Sequence, residues 1–501
     1  MDLLSNLVLG LSVAITPYNL LFCFFGAMLG TLVGVLPGLG PTATIAMLLP
    51  LTFSLPPEAS LIMLAGIFYG AQYGGSTTAI LINLPGEASS SVTVLDGYQM
   101  ARQGRAGPAL AASAIGSFAA GTVATLVIAI FALPMTELAL KFQSPEYFSL
   151  IVLGLLTSVA LARGSVLKGL AMIVMGLLLS LVGTDTTTGV QRFNFGFEEY
   201  ADGLNFVAVS VGIFGITEML RNLESTGTRE VFIKKVVGLM PTKADLKAIV
   251  APVIRGTAIG SFLGVLPGGG SILASFAAYT VEKKVSKDPS RFGKGAIEGV
   301  AAPESANNAG AQTSFIPMLT LGIPGNPVMA MMMGAMIIQG IVPGPAVATD
   351  QPRLFWGIIA SMWIGNAMLV ILNLPLIGLW VRLLTVPYYL LIPVITVFST
   401  IGVYSVTNSV YDVYTMIGLG IFGYILAKLD FEPAPLVLGF VLGPMFEEHL
   451  RRSMILSRGD PMIFLQRPIS AALLIVALIA IVIALLPMIA KKRDQVFVEE
   501  G

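Results

Sequence analysis

The sequence predicts an all-α polytopic membrane protein with two inverted-topology repeats, re-entrant hairpins and broken helices. Three observations support this prediction. The chain of 501 residues is 55% hydrophobic and only 11% charged, whereas a soluble globular protein has roughly 25% charged residues. Apolar segments long enough to cross a bilayer recur along the chain. A glycine-proline turn occurs once in each half, and such a break must line protein or a cavity rather than lipid.

Composition also argues against several classes of function. The formal net charge is +0, which argues against a nucleic-acid partner. The chain has one cysteine, Cys23, and one histidine, His449, so an internal disulfide and a cysteine or multi-histidine metal cage are impossible. No HExxH, GxSxG or P-loop motif occurs, and an enzyme is not predicted. Residues 3–15 lack the flanks of a signal peptide and are expected in the mature protein.

Single spans of about 20 residues are predicted near residues 108–133, 146–162, 168–183, 204–220, 354–379, 384–407, 410–427 and 468–490. Four stretches do not fit a simple span, because proline, glycine or polar residues interrupt them; they are 20–56, 60–97, 256–281 and 296–342. The predicted domains are repeat 1 (1–225), a cytoplasmic loop (226–250), repeat 2 (251–467), and a final span with a C-terminal tail (468–501).

Similar short motifs occur in the same order in both halves. VGVLPGLG at 33–40 matches LGVLPGGG at 263–270 in six of eight positions. LPG at 84–86 resembles IPG at 323–325, and GPA recurs at 107–109 and 344–346. A conserved order of short matches indicates an internal duplication.

The distribution of basic residues orients the two halves, because cytoplasmic loops are enriched in Lys and Arg. The first 101 residues contain neither, whereas Arg255, Lys283 and Lys284 flank the second turn. Residues 256–281 are therefore predicted to form a hairpin that enters from the cytoplasm, and residues 20–56 one that enters from the opposite face. Two tight pairs of ordinary short helices remain the alternative. Basic residues flank both ends of the final span, which leaves its orientation open.

A second broken stretch follows each hairpin, at 69–90 and at 302–327. An unpaired polar group in hydrocarbon costs several kcal/mol, and half-helix N-termini stabilise anions. We therefore predict that these stretches hold an anionic substrate. The candidate substrate-binding residues are Ser76, Thr77, Thr78, Asn83, Gly86, Asn307, Asn308, Thr313, Ser314, Gly325 and Asn326.

The hairpin tips are expected to frame the same cavity; they comprise Pro37, Gly38, Gly40, Pro267, Gly268, Gly270 and Ser271. Two simpler interpretations remain for the polar residues. A Ser or Thr hydroxyl can bond back to its own helix, and Asn307 with Asn308 can join neighbouring helices.

Unwound carbonyls and hydroxyl oxygens suit a hard cation. Neither Lys nor Arg occurs between Gly295 and Pro352. Glu304 in this region is a candidate to carry a proton or to coordinate a cation, although a loop carboxylate near the membrane interface is the simpler interpretation. No resident cofactor is expected. Na+ is the expected coupling cation, with H+ as the alternative.

Long motifs in one order resemble the TctA family, the large membrane subunit of the tripartite tricarboxylate transporters. They include GVLPGLGPTATIAMLLPLTF at 34–53, YGGSTTAILINLPGEA at 73–88, LDGYQMARQGRAGPAL at 95–110, GVLPGGGSILASFAAYTVEKK at 264–284, FGKGAIEGVAAPESANNAGAQTSFIPMLTLGIPGNP at 292–327 and LGFVLGPMFEEHLRRS at 438–453. The resemblance implies a multi-pass symporter of the bacterial cytoplasmic membrane that imports carboxylates, either a tricarboxylate such as citrate or a dicarboxylate. It also implies a small four-span TctB-like membrane subunit and a periplasmic TctC-like solute-binding protein.

The opposed hairpins are consistent with an elevator-like mechanism, in which one block carries the site across a fixed scaffold. An anion channel without ion coupling is the main alternative. An intramembrane enzyme is a more distant one, and polar clusters at helix breaks disfavour a purely structural subunit.

Overall fold

The computed structural model describes residues 3–36, 40–161, 165–185, 187–224, 238–266, 270–383 and 391–486. The helices of the first half are α1 (Leu3–Ala14), α2 (Pro17–Val35), α3 (Pro41–Phe53), α4 (Pro57–Ile82), α5 (Ser91–Arg102), α6 (Ala106–Ala139), α7 (Ser144–Leu161), α8 (Val166–Ser180), α9 (Phe206–Ser210) and α10 (Thr217–Glu224). A π-helical segment, Val211–Ile216, joins α9 to α10. Strands β1 (Gly183–Thr184) and β2 (Gln191–Arg192) pair antiparallel, with Gly183 opposite Arg192.

The helices of the second half follow in the same manner. They are α11 (Lys243–Val265), α12 (Gly270–Val285), α13 (Glu298–Thr313), α14 (Phe315–Leu321), α15 (Pro327–Ile338), α16 (Ala346–Asp350), α17 (Pro352–Asn373), α18 (Ile377–Leu383), α19 (Leu391–Thr407), α20 (Val410–Lys428), α21 (Ala434–Leu456), α22 (Ile463–Gln466) and α23 (Pro468–Leu485).

Many helices begin at a proline. Proline occupies the first helical position of α2, α3, α15 and α23, where its fixed φ and missing N–H group fit the first turn. The prolines that interrupt the apolar sequence therefore mark helix starts as often as breaks.

Seven described helices are long and apolar enough to cross a membrane. They include α6, the continuous helix at 206–224, α17, α20 and α23, each close to a predicted span. The prediction of an all-α polytopic membrane protein is confirmed. Helix α21 is not among the seven, because its second half carries Glu447, Glu448, Arg451 and Arg452.

Helices α4 and α13 form the centre of the molecule. Every residue from Ala59 to Leu81 is buried, as is every residue from Gly299 to Thr313. Helix α2 packs along α4, and α11 packs along α13 in the same way. A methyl group at Gly30 would lie 2.4 Å from the carbonyl oxygen of Ile67, and one at Gly260 would lie 2.3 Å from that of Ala306. Small residues permit this close backbone contact inside a membrane.

Helix α4 and helix α14, the short helix that follows α13, both end in a residue with a left-handed backbone. Asn83 follows α4 with φ 61°, and Gly322 follows α14 with φ 69°. A left-handed residue satisfies the last carbonyls of a helix and turns the chain. The breaks therefore lie at the LPG and IPG turns that follow, and α4 is continuous through residues 60–82.

Each half contacts, through a glutamine, the segment that follows α3 or α12 in the other half. Gln103 after α5 donates from Nε2 to the carbonyl oxygen of Lys294 at 2.8 Å. Gln339 after α15 donates to the carbonyl oxygen of Leu55 at 3.2 Å. Reciprocal contacts of this kind are typical of parts related by a two-fold axis. The inverted orientation of the repeats stays a prediction.

Candidate functional site

A cavity of about 1150 Å³ lies where the two halves meet. Four chain segments from both halves, each at a helix start or a proline-glycine loop, contribute to its lining. They are the start of α3 (40–43), the start of α12 (270–273) and the two proline-glycine loops at 85–88 and 325–328. The rest of the lining comes mainly from α7, α10, α12, α21 and α23.

Four helix N-termini meet at this cavity, those of α3, α12, α15 and α21. The first N–H groups of a helix have no partner within it and carry partial positive charge. Helix α3 starts at Gly40 without a side-chain cap. In α15, the Asn326 side chain accepts a hydrogen bond from the N–H of Met329 at 2.9 Å. The cavity therefore offers backbone donors to an anion.

The charged side chains of the lining are mostly acidic. They are Glu87, Glu218, Glu432 and Arg221, and Arg221 Nη1 lies 3.7 Å from Glu218 Oε2. Carboxylates repel a second anion, most strongly where water is scarce. An anionic substrate in this cavity is therefore favoured when protons or cations enter with it.

Six of the predicted residues line the cavity, namely Gly40, Gly86, Gly270, Ser271, Gly325 and Asn326. At Gly86, a methyl group would lie 1.9 Å from the carbonyl oxygen of Gly34 and 2.6 Å from Thr78 Oγ1. Glycine is required there because the loop touches the backbone of α2. Pro37, Gly38, Pro267 and Gly268 lie outside the described residues.

The other predicted residues do not line this cavity. Asn83 is exposed. Thr78 Oγ1 donates to the carbonyl oxygen of Gly75 at 2.8 Å, and Thr77, Thr313 and Ser314 also bond back to their own helices. These back-bonds are what the simpler interpretation of the hydroxyls expects.

The two adjacent asparagines have different environments. Asn308 Nδ2 donates to Ser117 Oγ on α6 at 2.7 Å, so it joins two helices. Asn307 is fully buried, and within the described ranges neither of its amide atoms has a hydrogen-bond partner. A buried polar group normally has a partner, so the amide of Asn307 is free to bind water or a ligand.

Glu304 lies in the centre of the protein. It belongs to α13 and its side chain is fully buried. The hydroxyls of Ser76 on α4 and Thr93 on α5 donate to its two carboxylate oxygens. The interpretation of Glu304 as a loop carboxylate near the interface is therefore wrong, because helix α13 carries it into the core.

Sequence reasoning missed Thr93 and the nearby Ser113 of α6, whose hydroxyl also bonds to Glu304. Thr93 and Glu304 are 211 positions apart, and no local pattern relates them. Among the described residues, no group of three or more His, Cys, Asp or Glu side chains is placed to hold a metal ion.

Comparison with known proteins gives one family and two relatives. The sequence profile described as "Tripartite tricarboxylate transporter TctA family" matches residues 20–438. A protein of Agrobacterium vitis, "Uncharacterized 52.8 kDa protein in TAR-I ttuC' 3'region", is 65% identical over 500 residues and is covered over its whole length, as is this chain. A second, "Uncharacterized protein in TAR-II ttuC' 3'region", is 66% identical over 241 residues, which are all of that protein and 48% of this chain. No solved structure matches.

Proposed function

Because the chain belongs to the tripartite tricarboxylate transporter TctA family, we propose that it is a secondary active transporter subunit that imports small carboxylates by cation symport. The substrate is a tricarboxylate such as citrate, or a dicarboxylate. Family membership supports a transporter subunit, and the finer statement rests on the cavity.

The observation that carries the proposal is the meeting of four helix N-termini from both halves in one cavity. Ligand pockets are typically about 300–1,000 Å³, so a cavity of about 1150 Å³ accommodates a small carboxylate together with water. Helix N-termini stabilise carboxylates without requiring a fixed cation. Asn326 and Ser271 add polar side chains to this lining.

The acidic lining supports coupling to a cation. Glu87, Glu218 and Glu432 face the same space in which an anion would bind. A carboxylate entering alone meets like charges, and a proton or Na+ that enters with it reduces this repulsion. Symport therefore suits the cavity better than passive conduction of an anion.

The cavity extends to the basic ends of α10 and α12. Arg221 near the end of α10 belongs to the lining, and the lining on α12 reaches Val281, next to Lys283 and Lys284 in its last turn. Lys428 at the end of α20 forms an ion pair with Glu224 at the end of α10. Because basic ends are cytoplasmic, we place the cavity on the cytoplasmic side, in an inward-facing state of an elevator-like cycle.

The remaining parts of the proposal come from the family. A small four-span membrane subunit accompanies this chain in the bacterial cytoplasmic membrane, and a periplasmic binding protein delivers the substrate. The binding protein accounts for affinity, so the cavity itself needs only moderate selectivity for carboxylates.

Uptake by proteoliposomes that contain both membrane subunits, with the binding protein added, tests the proposal. Labelled di- and tricarboxylates are offered with a sodium gradient, with a proton gradient, or with neither. We expect one carboxylate class to accumulate above its external concentration only when a gradient is present. Gradient-independent equilibration would instead support the anion channel.

A further inference from the structure

Glu304 differs in its surroundings from Glu282 and Asp96, two buried carboxylates on the neighbouring helices α12 and α5. Glu282 pairs with Arg255 at 2.7 Å. Asp96 accepts hydrogen bonds from three backbone N–H groups, of Gly293, Gly295 and Ala296. Glu304 has only hydroxyls at its oxygens. Its negative charge therefore lacks the compensation that the other two carboxylates have.

The elements packed against α13 offer no cation to Glu304. The nearest ionisable groups on them are Tyr73 (α4), Glu87 (before α5), Asp96 (α5), Tyr279 and Glu282 (α12) and Arg255 (α11). Arg255 is engaged by Glu282, and in the described part of the chain no Lys, Arg or His pairs with Glu304. A fully buried carboxylate is strongly disfavoured as an anion without a positive partner. The site must therefore acquire positive charge.

The hydrogen bonds around Glu304 can accommodate a proton. Ser76 Oγ lies 2.9 Å from the carbonyl oxygen of Gln72 and also contacts Glu304 Oε2. A hydroxyl has one hydrogen and donates to one of these acceptors at a time. When Ser76 donates to the carbonyl oxygen of Gln72, a hydrogen carried by Glu304 Oε2 can be donated to Ser76 Oγ, while Thr93 donates to Oε1.

The site is connected to the cavity on one side. Glu87 lines the cavity, and the neighbouring Ser89 donates to Gln72 Oε1 at 2.7 Å. The backbone carbonyl oxygen of the same residue, Gln72, accepts a hydrogen bond from Ser76 Oγ. A short series of polar groups therefore leads from the cavity to Glu304.

A small void lies on the other side. Its volume is about 10 Å³, and it is lined by Tyr73, Thr77, Ser113 and Asn373 among others. Tyr73 Oη and Asn373 Oδ1 have no hydrogen-bond partner in the described residues. A polar void of this size holds about one water molecule, which would reach Ser113 and hence the carboxyl group.

We propose that Glu304 is the residue that binds the coupled proton, a deepening that rests on the proposed symport. The carboxylate of Glu304 takes one H+ to become a neutral carboxylic acid, bonded to Ser76 and Thr93, while the substrate occupies the cavity. Release of that H+ to the cytoplasm restores the carboxylate. The proton and the substrate then cross together without a buried uncompensated charge.

The test compares Glu304→Gln with Glu298→Gln. Glutamine is neutral and nearly isosteric with protonated glutamate, so E304Q mimics the protonated state. Glu298 begins the same helix but pairs at the surface with Arg291, which makes E298Q a matched control. Citrate and a dicarboxylate are the probes, in proteoliposomes that also contain the partner subunit.

We expect wild type and E298Q to accumulate substrate when a proton gradient is imposed. E304Q is expected to lose this accumulation, down to the level of protein-free liposomes, while keeping exchange of internal for external substrate. Accumulation by E304Q in a proton gradient, or dependence of the wild type on sodium alone, would overturn the proposal.

A spectroscopic measurement keeps the test independent of transport. The infrared carbonyl band of a protonated buried carboxyl group is expected at neutral pH in wild type and E298Q, and is expected to be absent in E304Q. Its absence in wild type would contradict the proton site. Failure of the proposed function gives a different result, in which wild type exchanges no carboxylate although the infrared band is present.

Discussion

Single residues decide how closely the LPG loop at the first helix break approaches the backbone of α2. Gly86 is held between the carbonyl of Gly34 and the hydroxyl of Thr78, and this contact fastens the LPG loop to the end of α2. Asn326 instead holds the second loop, through its hydrogen bond to the N–H of Met329. The two breaks share a sequence motif but are fastened by different contacts.

Gly86→Ala is expected to destabilise the protein by roughly 1–3 kcal/mol, because overpacking forces the backbone to shift. Thermal unfolding in detergent measures the loss. Gly418→Ala in α20 is the matched control, since a methyl group there meets nothing within 4 Å, and its effect is expected to stay within about 0.5 kcal/mol. Equal melting temperatures for the two variants would contradict this prediction, because they would show that the backbone around Gly86 moves to accommodate a methyl group.

Asn326→Ala tests whether the Asn326 side chain, which caps α15, also binds the substrate. It is expected to lose about 1 kcal/mol of helix capping and to raise the KM for carboxylate uptake. Asn205→Ala removes a similar cap, since Asn205 accepts from the N–H of Val207 at 2.8 Å, but Asn205 does not line the cavity. A KM change of the same size in both variants would assign the effect of Asn326 to folding alone.

Among the helical elements, the two hairpins and the two long central helices repeat the same packing. Glycines of α2 and α11 contact the backbones of α4 and α13, so each hairpin is bound to one broken helix. This packing predicts that each hairpin moves together with its central helix, as the proposed elevator-like cycle requires.

Ile272→Cys in the first turn of α12 is expected to react with a membrane-impermeant thiol reagent applied from the cytoplasmic side. Ile272 lines the cavity and is 36% exposed. Ser275→Cys is the control on the same helix, because Ser275 is fully buried and should stay unreactive. The experiment uses a Cys23→Ala background. Protection of Ile272→Cys by citrate is also expected, and reaction from the periplasmic side alone would exclude the inward-facing assignment.

Across the entire protein, the position of the cavity orients the final span. The C-terminal end of α23 lies at the cavity, where Ile483 and Ala484 belong to the lining. Residues 491–493, Lys-Lys-Arg, follow α23 in the sequence. Because the cavity is proposed to face the cytoplasm and cytoplasmic segments are enriched in Lys and Arg, the final span is expected to leave the C-terminus in the cytoplasm, which the sequence analysis left open.

Cysteine labelling in intact cells tests this orientation. Asp460→Cys, in the turn between α21 and α22, is expected to react with an impermeant maleimide from the periplasm. Gly501→Cys is expected to react only after the cells are permeabilised, because α23 crosses the membrane once between them. Reaction of both positions from the same side would contradict the topology and the cytoplasmic placement of the cavity.

The sequence alone determined the membrane class, most of the spans and the positions of the helix breaks, and it predicts the duplication. Apolar length, proline and glycine act locally, and their effects are readable without knowing any neighbour. The sequence also predicted that Gly86, Gly325 and Asn326 belong to the site, because a break in an apolar stretch is a local feature.

Only the tertiary structure decided which polar groups meet. Ser76 seemed to be a substrate ligand, yet it donates to Glu304 on a helix of the other half. Thr93 reaches the same carboxylate across 211 positions. The rotation of each helix about its axis and the packing of α13 among α4, α5 and α6 set these contacts, and long-range packing is not encoded in any short segment. For that reason the sequence indicated where the chain breaks, and the fold decided which groups surround the cavity and the buried carboxyl group.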